Sequence, residues 1–219
     1  MEIFIMDTSG QNVQQLTNNT ADDSGPAWSP DGRWIAFQSD VTAVLSANAV
    51  HAMPPSTLWL TSSDGGEPRQ VTETGQLSGG DGSPVWTPDG RRLVFSMRRN
   101  AEDDYHLYEM NVDGSGLKQL TSAPRVSDIQ PFYLPDGRIV FSSTREPKYN
   151  MCSQDIAANL FRMEPEGANI HQITKNTLFD NHAELLPDGR ILYARWEYVD
   201  RNFGDAHGLW TVNPDGTNP

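Results

Sequence analysis

Apolar residues fall in short runs along this chain, never in the long stripes of an amphipathic helix. Trp34-Ile35-Ala36-Phe37, Leu93-Val94-Phe95, Ile139-Val140-Phe141 and Ile191-Leu192-Tyr193 each follow a Pro-Asp-Gly-Arg turn, at 30–33, 88–91, 135–138 and 187–190. Proline presets one turn position and glycine accepts a positive φ, so this tetrapeptide between apolar runs predicts a β-hairpin. The four turns stand 47 to 58 residues apart. Hairpins at that period mark a repeat architecture.

A second unit alternates with the first. Ile3-Phe4-Ile5-Met6, Leu58-Trp59-Leu60-Thr61, Leu107-Tyr108-Glu109-Met110, Leu160-Phe161-Arg162-Met163 and Leu209-Trp210-Thr211-Val212 each lead into a glycine-bearing turn. After the first four copies comes a short strand ending in an apolar residue and threonine, at Leu16-Thr17, Val71-Thr72, Leu120-Thr121 and Ile173-Thr174. One full repeat is then two hairpins, or four short antiparallel strands. The chain is expected to be all-β, a β-propeller of four-stranded antiparallel blades. About four blades are expected, in a single segment over 1–219: a partial blade at 3–17, blades near 26–72, 84–121 and 131–174, and an incomplete blade at 182–213. The strand count at both ends predicts a piece of a larger, six- to eight-bladed propeller. Open blade edges would then favour self-association.

Composition narrows the partners. Eighteen glycines and fifteen prolines in 219 residues suit a turn-dense β protein. The net charge of −13 argues against nucleic acid, which needs clustered Lys and Arg. No apolar run reaches the roughly 18 residues of a membrane span, and no signal peptide precedes the first strand. Cys152 is the single cysteine, so an intrachain disulfide and a covalent Cys-x-x-Cys-His haem site are both excluded. Nucleophile-elbow, phosphate-loop and His-Glu-x-x-His motifs are absent. No cofactor is evident, although a divalent metal remains a candidate.

Candidate chemistry lies at the blade junctions. Asp23, Asp81 and Asp128 stand three residues before Pro26, Pro84 and Pro131, and Asp180 holds the same place before Ala183. In blade-joining loops these carboxylates would line the channel mouth and attract a cation or basic peptide. Equally, each would accept local N–H bonds and fix its own loop. His182 replaces Gly25, Ser83 and Gln130 of the other copies. With Asp180, Glu184, and His207 or His51, it is a metal or acid–base candidate; it also fits a hydrogen-bonded structural histidine. Arg195-Trp196-Glu197 replaces small polar residues after the second strand. The arginine would grip a carboxylate or sugar, or pair with an aspartate of the junctions. Loops 41–56, 98–105, 144–158 and 197–207 are long and variable, which makes their face the expected binding surface. The 144–158 loop holds Arg145, Lys148, Tyr149, Cys152 and Asp155 without nucleophile spacing.

The alternation of Leu-Trp-x-Val-Asn-Pro-Asp-Gly, Gln-Leu-Thr and Trp-Ser-Pro-Asp-Gly-Arg-x-Ile-Ala-Phe resembles the TolB-like propeller repeat, a relative of the WD repeat. The segment 186–201 is similar to propellers of hydrazine synthase α-subunit-like proteins. The resemblance implies a periplasmic or other extracytoplasmic scaffold that binds a protein or peptide. The alternative it implies is the propeller portion of an enzyme: a metal-assisted polysaccharide lyase, or the propeller domain of a hydrazine-synthase-like or peptidase enzyme.

Overall fold

The Pro-Asp-Gly-Arg turns close as their sequence dictates. In a computed structural model, which describes residues 1–40, 56–72, 81–99, 102–149, 157–197 and 207–219, Gly32 adopts φ 71°. Its N–H donates to the Ser29 carbonyl at 2.9 Å. The Asp31 carboxylate accepts from the Ser29 hydroxyl and the Arg33 N–H, at 2.6 and 3.1 Å. These bonds hold its pKa down at about 2. Asp89, Asp136 and Asp188 accept the N–H two residues on in the same way.

The chain forms two units, residues 1–103 with 107–119 and residues 104–106 with 120–219. In the first, β1 (Phe4–Ile5) pairs with β2 (Gln14–Gln15). A four-stranded sheet follows in sequence order: β3 (Asp22–Trp28), β4 (Trp34–Asp40), β5 (Ser56–Ser62) and β6 (Arg69–Gln70). Another contains β7 (Asp81–Trp86), β8 (Arg92–Met97), β9 (His106–Asn111) and β10 (Lys118–Gln119). The second unit holds a four-stranded sheet of β11 (Asp128–Tyr133), β12 (Ile139–Ser143), β13 (Asn159–Met163) and β14 (His171–Gln172). A three-stranded sheet completes it, with β15 (Asp180–Leu185), β16 (Ile191–Trp196) and β17 (His207–Val212). The eleven pairings with a described register are antiparallel. Among the described residues there is no helix, and so none long and apolar enough to cross a membrane.

Sequence reading started the first strand of each sheet at its proline or just before. The strands begin earlier, at Asp22, Asp81, Asp128 and Asp180. They continue through a β-bulge, where the register shifts between Ser24 and Ala27, Gly82 and Val85, Ile129 and Phe132, and Asn181 and Glu184. A bulge leaves a residue outside the ladder, so proline loses no ladder bond there. The aspartates assigned to blade-joining loops are therefore strand residues.

Alternating side chains make the core between successive sheets. Ala36, Leu58 and Leu60 of one sheet pack against Trp86, Leu93, Phe95, Tyr108 and Met110 of the next. The opposite face of the first sheet, Ile35 and Phe37, is covered by Ile3 and Leu16. In the second unit Val140, Leu160 and Ile173 meet Ile191, Tyr193 and Val212. Each fully buried side chain of this size contributes about 1.5–3 kcal/mol. Leu58, Leu160 and Leu209 hold one repeat position, opposite Gln38, Ser142 and Ala194. The first two are fully buried, whereas Leu209 is 77% exposed.

Candidate functional site

Strand register puts the aspartates and the long loops at the same end of each sheet. Asp22 faces Asp40, which faces Ser56; Asp128 faces Ser143, which faces Asn159; Asp180 faces Arg195, which faces Gly208. The Pro-Asp-Gly turns close the opposite end. At the loop end a set of buried carboxylates begins the first strands: Asp23, Asp81, Asp128 and Asp180, none more than 7% exposed.

Each carboxylate is held differently. Asp23 accepts from the Ser39 hydroxyl and from the Asn19 amide, the latter at 2.9 Å. Asp81 faces Met97 instead of a serine. Burial pushes its carboxyl up to about 6, against a hydrogen bond from Thr72. Asp128 accepts from the Ser143 hydroxyl at 2.6 Å and from Arg145 Nη2 at 2.7 Å. Asp180 accepts from the Asn176 amide at 3.0 Å and lies 3.3 Å from Arg195 Nε. Burial raises its pKa too, with the Thr174 hydrogen bond and the Arg195 charge opposing.

The repeated threonines that follow the fourth strands carry a role that their spacing alone does not assign. Thr72 and Thr174 are buried and accept the N–H of Leu58 and Leu160, at 2.8 and 3.1 Å. They also bond the aspartate that opens the next sheet. The fourfold apolar-Thr ending was the signal: a hydroxyl both donates and accepts, and so ties one sheet to its neighbour.

His182 is exposed at the bulge with φ 49°. Gly25, Ser83 and Gln130 share this left-handed conformation, with φ 61°, 52° and 56°. The bulge frees a backbone N–H, and side chains capture it. Gln38 Oε1 accepts from Ser83 N at 3.1 Å, and Gln130 Oε1 accepts from His182 N at 3.2 Å. What singles out this position is backbone conformation, not imidazole chemistry. His207 stacks on Trp196 with centroids 5.6 Å apart and 19° between planes, and it also meets Phe179. His51, Cys152 and Asp155 lie outside the described residues. Among the described residues no three His, Cys, Asp or Glu side chains gather as metal ligands, and the structure does not assemble a cluster of His182 with His207.

Arg195 stands opposite Asp180, in the place of Ser39, Met97 and Ser143. Its guanidinium carbon lies 4.9 Å above the Trp210 ring, and Nη2 donates to the Lys175 carbonyl at 3.1 Å. Trp196 is a core residue, buried with Leu178 against Phe179. Glu197 is half-buried just past β16.

No family model matches the chain. The Tol-Pal system protein TolB of Francisella tularensis subsp. mediasiatica is 26% identical over 227 residues, covering 98% of this chain and 49% of that protein. Among solved structures, TolB from Acinetobacter baumannii superposes with TM-score 0.69 at 20% identity, over 96% of this chain and 45% of that one. The chain is a TolB-like β-propeller. Hydrazine synthase of Kuenenia stuttgartiensis also shares the fold, with TM-score 0.69 and 23% identity over 85% of this chain and 31% of that one. The TolB-like chain spans about half the length of the curated relatives it matches.

Proposed function

We propose that this TolB-like propeller is a non-catalytic scaffold in an extracytoplasmic compartment. It binds a protein or peptide partner with the end of its sheets that carries the aspartates and long loops. The observation behind this reading is the contrast between the two ends. Short turns fixed by their own aspartates close one end. At the other, buried carboxylates anchor the strands from which every long loop leaves, and variable loops on a rigid scaffold are where binding concentrates. The relatives' place in the Tol-Pal system supports a role among proteins.

The test is site-directed photocrosslinking in cells. A photoreactive residue replaces Tyr149, 68% exposed at the loop end, or Arg190 beside an opposite-end turn. A discrete protein adduct from position 149 and none from position 190 is the expected result. Adducts from 190 alone, or from neither, would overturn the reading.

A further inference from the structure

The repeat contains its own guide to a ligand. Three of the sheets set an aromatic pair across their second and third strands: Phe37 opposite Trp59, Phe141 opposite Phe161, Tyr193 opposite Trp210. In the last sheet Arg195 fills the space above this pair. Its guanidinium lies over Trp210, its Nη1 reaches the Tyr193 hydroxyl at 3.4 Å, its Nη2 bonds the Lys175 carbonyl, and its charge sits beside Asp180.

The sheet of β3–β6 has the same frame without the arginine. Ser39 takes the place of Arg195, since each faces the strand-opening aspartate. Trp59 takes the place of Trp210, and Phe37 that of Tyr193. Thr17-Asn18-Asn19 corresponds to Thr174-Lys175-Asn176, each threonine six residues before its aspartate. Asn19 and Asn176 both donate to that carboxylate. Where the guanidinium would lie there is a cavity of about 350 Å³, lined by Asn18, Asn19, Phe37, Ser39, Trp59 and Glu67 among others.

The walls suit a cation. The buried Asp23 carboxyl accepts from the Ser39 hydroxyl and the Asn19 amide, with the Met1 ammonium within coulombic reach, whereas Asp128 and Asp180 each have an arginine beside them. Glu67 adds a further carboxylate to the wall. A planar cation stacking on tryptophan, with a carboxylate beyond it, combines two attractions that reinforce each other out of water.

We propose that this cavity is a binding site for an arginine side chain of a peptide partner, received as Arg195 is received in the last sheet. Its recognition of a guanidinium does not depend on the loop end being the main docking surface.

The test follows the Trp59 indole N–H resonance, assigned with Trp59→Phe, as N-acetyl-arginine amide is added. The neutral isostere N-acetyl-citrulline amide is the control. A saturable shift at Trp59 is expected, with citrulline at least tenfold weaker, or about 1.4 kcal/mol. Ser39→Arg supplies the guanidinium from the chain itself and should abolish the arginine response while the protein stays folded by circular dichroism. Equal responses to the two amides, no shift at Trp59, or full arginine binding by folded Ser39→Arg would overturn the proposal. Should Ser39→Arg fail to fold, the arginine–citrulline comparison on the native chain decides by itself. Loop-end crosslinking can fail while this titration succeeds, so the two readings are separable.

Discussion

Among the four strand-opening aspartates, one residue type meets four environments. Asp81 has neither the serine nor the arginine of its counterparts, and its folded pKa of about 6 exceeds the ordinary 3.8. For an acid this means that stability is fully present below about pH 4 and is lost as pH rises through 6. The shift corresponds to roughly 3 kcal/mol. Asp81→Asn keeps an acceptor for Thr72 and removes the charge. It should raise the melting temperature at pH 8 and leave it nearly unchanged at pH 4, as measured by calorimetry. Asp128 is the opposite case, fully buried with Arg145 at 2.7 Å. Arg145→Met strands a buried carboxylate and should cost about 3–5 kcal/mol in urea unfolding, whereas Arg145→Met with Asp128→Asn should recover much of it.

At the scale of the strand and the turn, the repeat is maintained by backbone conformation. Gly167, in the second-hairpin turn at φ 92°, has the Leu120 carbonyl oxygen 2.2 Å from where a Cβ would sit. Gly137, in a Pro-Asp-Gly turn at φ 87°, has nothing within 4 Å. Both alanine variants pay for the left-handed conformation, about 1–2 kcal/mol, but only Gly167→Ala must also displace the Leu120 backbone. Gly167→Ala should therefore be clearly the more destabilising in thermal unfolding. The bulge gives the converse expectation. Gly25 shows that the position needs no side chain, so His182→Gly should be neutral or stabilising by up to about 1 kcal/mol. Periodicity made the turns and the four-strand repeat legible, because Pro-Asp-Gly acts locally. It placed the first strands too late, because Asp-x-Gly-Pro and Asp-x-Ser-Pro look like loop sequence until a bulge makes room for them. His182 stood out by residue type, whereas its conformation is common to all four copies.

Across the whole molecule, a position has meaning only through the sheet that covers it. Leu160→Ala should cost about 2–5 kcal/mol, and Leu209→Ala, at the same repeat position but exposed, within about 0.5 kcal/mol. Denaturant midpoints check the pair. The same logic explains why the cavity above Trp59 was not legible in the chain. Ser39 reads as an ordinary small strand residue until register sets it in the place of Arg195, and the carboxylates converge only across strands. The acidic balance of −13 was legible, but not where it collects. The central claim is that partners meet the aspartate and loop end of the sheets. Hydrogen exchange on the native chain with and without its crosslink-identified partner tests it most directly. Slowed exchange at Ser143–Tyr149 and its counterparts, with the 135–138 and 187–190 turns unchanged, is the predicted result. Protection confined to those turns would contradict the account.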